Sequence, residues 1–347
     1  MASAPATVLP LGEIEVGRTA VCFAILRSRE EKLTKRGDPY QVCHFRAGQA
    51  ERTTKVWKDS PFFEFFADAP PGGHYRLRIQ AEDRDKSYGS DFKILEVEPA
   101  GPEHADEGYD PDGLFPSSEI PREKLWDDLL KLVQEQIGNP FLLKLIGVLL
   151  RENRVLFMAM PAAKSFHHAY NAGLLEHVWS LTKICSWLAD HYAEYYGDLD
   201  PPLDKELLLT SAIVHDIGKL RELAYDSFDV SYTVEGQLIG HIVLGRDMVR
   251  EAAARVPDFP GELLLLLEHA ILSHHGRLEF ASPVVPKTLE ALILSFADDL
   301  DAKVNAAVKA FAAARGESEF TEPVRPLDNR TLYRRLPAAE PLKKEEV

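Results

Sequence analysis

His215-Asp216-Ile217-Gly218-Lys219 lies past the middle of the 347-residue chain and is the centre of a longer pattern. Upstream, Gly173-Leu174-Leu175-Glu176-His177 supplies a histidine, and His241, the pair His274-His275 and Asp298 follow downstream. The order H…HD…H…H…D spans about 120 residues in which apolar spacing predicts helices throughout. Imidazoles and carboxylates in this array suit first-row divalent metals. The sequence therefore predicts an all-helical domain built around a metal-dependent phosphoesterase site.

The segment from Asp204 to Lys219 has the signals of a helix that ends at this site. Asp204 is a suitable N-cap, and Gly218 is expected to adopt the left-handed conformation of a C-cap. Adjacent histidine and aspartate at a helix end can bind one metal ion while the carboxylate bridges to a second. Lys219 would then lie near a bound phosphate as a point charge. Taken alone, His-Asp before a glycine is equally consistent with an ordinary helix cap.

The other histidines and Asp298 strengthen the metal interpretation. His241 follows a glycine and His274-His275 precedes one, which is unusual for histidines that only pack. Asp298 lies on a helix with an apolar face and is expected to point to the core, where its charge needs a metal or a paired cation. That face is formed by Leu292, Ile293, Phe296, Leu300 and Val304. His177 alone on its apolar stripe would be more typical of a core residue.

A metal site of this kind predicts hydrolysis by water. Water acidified by the metal would attack a phosphorus that the metal and Lys219 hold in place. His168 and His275 are the candidates for binding a phosphate oxygen or protonating the leaving group, with His167 and His269 as alternatives. Each of these four could instead support a ligand from behind or lie on the surface.

Residues 10–99 predict a small β domain. Five alternating or apolar segments are separated by Gly/Pro turns, as in a five-stranded OB-fold-like barrel, with another small barrel or a sandwich as the alternative. The predicted strands are residues 21–26, 40–45, 54–57, 75–79 and 92–97. Residues 100–120 read as a linker, 121–315 as the helical domain and 316–347 as a C-terminal tail.

The first hairpin of the β domain is a candidate nucleic-acid contact. It carries Arg29, Lys32 and Lys35, and Tyr40 and Trp57 could stack on bases of a single strand. The alternative is a solvated hairpin tip with aromatic residues in the core.

The composition, 45% hydrophobic and 27% charged, is that of a globular protein. No apolar run approaches the ~20 residues of a membrane helix, and the N-terminus lacks the pattern of a signal peptide. Three widely spaced cysteines favour a reducing, cytoplasmic compartment. The net charge of −15 argues weakly against nucleic acid, but residues 1–99 are neutral and the acidic excess lies entirely beyond them.

Several stretches together resemble the HD-domain superfamily of metal-dependent phosphohydrolases. The similarity is greatest to its YhaM-type 3′→5′ exoribonuclease branch, which joins an N-terminal OB-fold to an HD domain. Gly173 stands where the branch that hydrolyses cyclic di-GMP has an acidic ligand, which argues against that branch. The matching stretches are HHAYNAGLLEH (167–177), HDIGKLREL (215–223), YTVEGQLIGHIVLG (232–245), ILSHHG (271–276), SPVVPKTLEALIL (282–294) and DDLDAK (298–303).

The resemblance implies two divalent ions, with Mn²⁺ favoured over Fe²⁺, Co²⁺, Ni²⁺ or Zn²⁺. The first would be bound by His177, His215, Asp216 and Asp298, and the second by His241, His274 and the bridging Asp216. The implied activity is removal of nucleoside 5′-monophosphates from the 3′ end of single-stranded RNA, or of DNA in some members.

Two other functions remain open at this point. The acidic helical domain also suits an HD phosphohydrolase or phosphodiesterase acting on a small nucleotide, with the barrel in assembly or regulation. An adaptor that binds nucleic acid through a vestigial site is disfavoured by the complete ligand set. No membrane partner is expected, and homo-oligomerisation stays open.

Overall fold

The computed structural model describes residues 7–48, 50–84, 86–115, 117–118, 120–162, 170–225, 230–314 and 318–335. The chain divides into two compact units, residues 1–119 with 225–231, and residues 120–224 with 232–347.

The first unit is built on a five-stranded antiparallel sheet, which confirms the predicted β domain. The spatial order of its strands is β3-β2-β1-β4-β5. Alternating side chains of the sheet enclose a core that includes Leu26, Phe45, Leu77 and Phe92. The strands are β1 (Thr19–Leu33), β2 (Pro39–Ala47), β3 (Ala50–Trp57), β4 (His74–Ala81) and β5 (Phe92–Pro99).

The sheet is not closed, so "barrel" describes it only loosely. No ladder pairs β3 with β5 among the described residues. Instead Thr53 and Asp91 exchange two hydrogen bonds of 2.7 Å, and the Thr54 hydroxyl donates to the Phe92 carbonyl at 2.6 Å. A short helix, α1 (Phe63–Asp68), stands between β3 and β4 and packs Phe66 into the core.

The stretch expected to be a linker is partly structured in the first unit. It contains two 3₁₀ helices, Pro102–Glu107 and Asp112–Leu114. Leu114 packs against Phe23 and Ile25 on the outer face of the sheet.

The second unit is helical, as predicted, and its central helices pack against one another. These are α4 (Gly173–Tyr195), α5 (Lys205–Val214), α9 (Gly261–Ser273) and α10 (Leu289–Ala313). Around them lie α2 (Arg122–Gln136), α3 (Pro140–Ala159), α6 (Lys219–Glu222), α7 (Val234–Ile239) and α8 (His241–Ala253). The second unit also has 3₁₀ turns at Leu278–Phe280 and Arg325–Leu327.

A separate two-stranded sheet pairs β6 (Leu223–Tyr225) with β7 (Val230–Tyr232).

Gly218 differs from expectation, and Gly240 has a separate role before His241. Gly218 has right-handed helical angles, so the predicted left-handed cap is wrong. It is required for a different reason, since a Cβ there would lie 1.9 Å from the His241 carbonyl oxygen. Gly240 does have a positive φ, +80°, with open space around it. It lets the chain turn into α8 directly before His241.

The exposed face of α10 also differs from expectation. Phe296, Leu300 and Val304 are exposed rather than buried, and the core face is formed by Ile293, Leu294 and Ala297. None of the helices in the described part of the chain combines the length and hydropathy needed to cross a membrane.

Candidate metal centre

Six predicted ligands arrive at one place from five helices. His215 is the C-cap of α5 and His274 the C-cap of α9. Asp216 follows His215 in the turn before α6, and His241 is the first residue of α8. His177 and Asp298 project from within α4 and α10. Four of the six side chains therefore lie at helix ends, where the backbones of neighbouring helices can approach one another closely.

The first group of ligand atoms comes from His177, His215 and Asp298, which lie close enough to share one ion. His177 Nε2 is 3.1 Å from Asp298 Oδ1 and 3.3 Å from His215 Nε2. Asp216 Oδ2 lies 3.2 Å from His215 Nε2, so one oxygen of Asp216 borders this group.

The other oxygen of Asp216 faces a second group. Asp216 Oδ1 is 3.5 Å from His241 Nε2 and 3.7 Å from His274 Nε2. Within the described residues, these three buried atoms have no hydrogen-bond partner. Buried polar atoms are normally satisfied, and three converging electron-pair donors are satisfied by a cation. The donor set therefore fits two divalent ions with Asp216 between them.

Each histidine is oriented by a hydrogen bond from its other nitrogen. Nδ1 of His215 donates to the Ala212 carbonyl at 2.8 Å, and Nδ1 of His274 to the Ile271 carbonyl at 2.7 Å. Because Nδ1 carries the proton, the lone pair of Nε2 points into the site.

Carboxylates play this part for the remaining two histidines. Asp301 Oδ2 accepts from Nδ1 of His177 at 2.8 Å, and Asp301 Oδ1 accepts from the Ser180 hydroxyl at 2.6 Å. Glu222 Oε1 accepts from both Nδ1 and the backbone N–H of His241, at 3.0 and 2.9 Å. Sequence reasoning missed Glu222. Its position in α6, close to Lys219 in the sequence, gave no indication of this role. Its partner, His241, belongs to α8, and the two residues meet only because α8 packs against Gly218.

The electrostatics of the site favour ionised carboxylates and a neutral His274, whereas His177 favours its protonated form when no cation is bound. Burial acts to raise the pKa of Asp216 and of Asp298, but neighbouring positive groups outweigh it. Lys219 and His215 hold the pKa of Asp216 well below its usual range, and His177 and His215 lower that of Asp298. Burial lowers the pKa of His274 strongly. Burial also disfavours charge on His177, but Asp298 and Asp301 prevail and raise the pKa of His177 to about 10.

Lys219 lies against the candidate site. Its ammonium donates to Asp216 Oδ2 at 2.6 Å and the side chain is almost fully buried. A buried lysine at this position balances the carboxylate charge and borders the space in front of the ligand atoms.

The remaining histidines separate into different positions. His275 offers a ligand atom within 4.8 Å of those of His241 and His274, while its Nδ1 donates to the Phe280 carbonyl. His269 instead accepts from the backbone N–H of Lys287 at 2.8 Å. His167 and His168 lie outside the described residues.

The structure brings three of the five candidate nucleic-acid residues into one row. Lys32 lies opposite Tyr40, and Tyr40 lies opposite Trp57, on three neighbouring strands. The centroids of the Tyr40 and Trp57 rings are 5.0 Å apart. Tyr88, which the sequence did not suggest, places its exposed ring 6.4 Å from Trp57. Arg29 pairs with the buried Cys43 and so points to the other face of the sheet. Lys35 lies in the hairpin turn.

Comparisons with known proteins identify the proteins that this chain resembles. The family model described as "HD domain" matches residues 174–303. The chain is 31% identical over 319 residues to "3'-5' exoribonuclease YhaM" of Shouchella clausii, covering 92% of this chain and 94% of that protein. It is 30% identical over 328 residues to the protein of the same name from Bacillus subtilis, covering 92% and 96%. The similarity thus extends over both units.

Proposed function

Since this chain belongs to the YhaM family of 3′–5′ exoribonucleases, we propose that it removes nucleoside 5′-monophosphates from the 3′ end of single-stranded RNA. Hydrolysis depends on divalent metal held by the HD domain. The observation that carries this proposal is the convergence of Asp216 Oδ1, His241 Nε2 and His274 Nε2 as buried atoms without a hydrogen-bond partner among the described residues.

Two ions are assigned to the two groups of ligand atoms. His177, His215, Asp216 and Asp298 would hold the first, and His241, His274 and Asp216 would hold the second. A divalent ion there acts as a Lewis acid on a phosphoryl oxygen and makes water acidic enough to attack near neutral pH. The mixed nitrogen and carboxylate donors suit Mn²⁺, Fe²⁺, Co²⁺, Ni²⁺ or Zn²⁺, of which we propose Mn²⁺.

The chain's own groups orient the substrate and handle its proton. Lys219 contributes a positive charge to a phosphate oxygen next to Asp216. Protonation of the leaving 3′ oxygen is assigned to His275 or His168. His275 has its Nδ1 fixed by the Phe280 carbonyl, which leaves Nε2 to face the site or to serve as a third nitrogen of the second group.

The β domain, residues 10–99, is assigned to holding the RNA strand. Lys32, Tyr40 and Trp57 form a row. The row combines a positive charge with two aromatic rings on which bases can stack, as single-strand binding requires. Tyr88 extends it. Residues 121–315 carry the hydrolysis. Hydrolysis assays with DNA or with a small nucleotide in place of RNA distinguish these alternative substrates.

The experiment is hydrolysis of a single-stranded RNA of about 20 nucleotides, longer than the 4–16 that one OB-type domain covers. Protein treated with chelator is expected to be inactive, and added Mn²⁺ restores degradation. Asp216→Asn removes the bridging carboxylate and is expected to lower the rate by about 10³-fold or more. Full activity after chelation, or in Asp216→Asn, would show that this centre does not hydrolyse RNA.

A further inference from the structure

The solvent face of α10 carries a continuous apolar stripe. Its members recur every three or four residues over five turns of the helix and are between 42% and 67% exposed. Most of the exposed apolar side chains of a folded protein are scattered, whereas these are contiguous. They are Leu292, Phe296, Leu300, Val304, Val308 and Phe311.

The stripe is large enough to matter. With these exposures it offers roughly 600 Å² of apolar surface, at the upper end of what a monomer usually leaves uncovered. Two such faces packed together bury about 1,200 Å², the lower limit of stable specific interfaces. One helix therefore supplies the area that a self-association needs.

The charges beside the stripe indicate which occupant fits. Asp299 and Lys303 lie on one flank of the stripe, half-exposed, and form an ion pair of 2.6 Å within the helix. They are placed symmetrically about residue 301. When a two-fold axis relates two copies, a contact from residue i of the first copy to residue j of the second is repeated from residue j of the first to residue i of the second. With the axis at residue 301, each Asp299 faces the Lys303 of the second copy.

We propose that the α10 stripe is a two-fold interface at which a second copy of this chain packs its α10 antiparallel to the first. The apolar side chains interlock along the seam, and two Asp299–Lys303 contacts between copies fix the register. The opposite face of the same helix carries Asp298 and Asp301, so the interface leaves the metal centre free. This inference does not depend on the proposed function.

The first test is the mass of the full chain in solution by light scattering over a range of concentrations. The wild type is expected to associate into an even number of copies. Phe296→Asp and Val308→Asp each place carboxylates in the seam and raise the dissociation constant at least about a hundredfold. Val155→Asp is the control, because Val155 is 81% exposed on α3, outside the stripe. Circular dichroism melts of all three variants verify the fold.

The second test addresses the register through charge reversal. D299K alone and K303D alone bring like charges together between copies, and each is expected to weaken association about tenfold. Mixing the two single variants restores opposite charges across the interface, so the mixture associates about tenfold more tightly than either alone. Neither variant regains its pair within the helix, so recovery reports contact between copies.

A wild type that stays monomeric at every concentration overturns the proposal. So does association that Phe296→Asp and Val308→Asp leave intact, which would place a second copy elsewhere. A mixture that associates no better than its components overturns the antiparallel register at residue 301.

Discussion

At the residue scale, the two ring nitrogens of each histidine have different roles in the candidate metal centre. Nδ1 is fixed by a carbonyl or a carboxylate, and Nε2 turns toward the ligand group. Two of the four supports are charged, Asp301 behind His177 and Glu222 behind His241. A carboxylate support makes the imidazole a stronger donor and holds its ring in place.

The charged supports lead to a prediction with two variants. Glu222→Gln and Asp301→Asn keep an oxygen that accepts from Nδ1 but lose the charge. Each is expected to weaken metal binding about 10- to 100-fold. Glu222→Gln acts on the ion next to His241, and Asp301→Asn on the ion next to His177. Calorimetric titration of chelator-treated protein with Mn²⁺ measures the two steps.

The control for this pair is Asp299→Asn, because Asp299 is exposed and pairs only with Lys303 among the described contacts. It is expected to leave both binding steps unchanged. If Glu222→Gln and Asp301→Asn weaken the same step, the assignment of one support to each ion is wrong.

A pH prediction follows from His177. With no ion bound, its pKa is raised to about 10, above the ordinary value of 6.5. Between these two values a metal ion must displace the proton from Nε2. Affinity is therefore expected to rise about tenfold, or ~1.4 kcal/mol, for each pH unit. Titrations with Mn²⁺ at two pH values between 7 and 8.5, in buffers of different ionisation enthalpy, measure the affinity and the released proton. An affinity that does not change with pH contradicts the prediction.

At this scale the residue pattern predicted the ligand types, and the family resemblance implied their grouping into two sets. The predicted ligands, which the structure brings together, are imidazoles and carboxylates at helix ends or on apolar helix faces, and these are conspicuous in a sequence. They are His177, His215, Asp216, His241, His274 and Asp298. Which oxygen of Asp216 faces which histidines depends on distances across five helices. Glu222 could not be found either, since its partner is brought to it only by the packing of α6 on α8.

At the scale of elements, the crossing of α6 and α8 sets the position of His241. Gly218 lies so close to α8 that a Cβ would be 1.9 Å from the His241 oxygen and 2.4 Å from the Gly245 nitrogen. Gly218→Ala is therefore expected to lower the free energy of unfolding by about 3 kcal/mol and to weaken metal binding. Urea denaturation measures the first effect.

Gly261→Ala is the matched control, because Gly261 likewise lies at the start of a helix but has nothing within 4 Å of the added Cβ. It is expected to change stability by less than about 1 kcal/mol, in the stabilising direction. Equal stability of Gly218→Ala and the wild type would contradict the close contact.

The β-sheet row makes a second prediction at this scale. Base stacking on an aromatic ring contributes about 1–3 kcal/mol, so Trp57→Ala is expected to weaken single-stranded RNA binding at least about fivefold. Anisotropy of a labelled RNA, with chelator present to prevent hydrolysis, measures the affinity. Trp187→Ala removes a tryptophan of α4 that is more exposed than Trp57, 66% against 37%, and is expected to have no effect. Equal losses in the two variants would place the RNA elsewhere.

The elements themselves were largely predictable. Alternation found all five strands of the sheet, and apolar spacing with Asp204 found the helix before His215. The short helix α1 was missed because six residues rich in phenylalanine show no decisive period. The predicted buried face of α10 was wrong because residues spaced four apart shift progressively around the helix axis. Both the row through Leu292 and the row through Ile293 are apolar, and only the packing of small residues such as Ala297 decides between them.

At the scale of the whole molecule, charge and activity have to be reconciled. The acidic excess lies beyond residue 99, while residues 1–99 are neutral and carry the Lys32–Tyr40–Trp57 row. Lys219, together with the divalent ions proposed above, would supply positive charge at the candidate metal centre. The β unit is therefore assigned the strand and the helical unit its 3′ end.

The most direct measurement uses one RNA of about 20 nucleotides, labelled at either its 5′ or its 3′ end, with Mn²⁺ present. The account predicts that the 3′ label is released first as a nucleoside 5′-monophosphate, while the 5′-labelled strand shortens progressively. Asp216→Asn leaves both strands intact. Release of the 5′ label first, internal cleavage, or hydrolysis of mononucleotides and dinucleotides alone would contradict a 3′→5′ exoribonuclease.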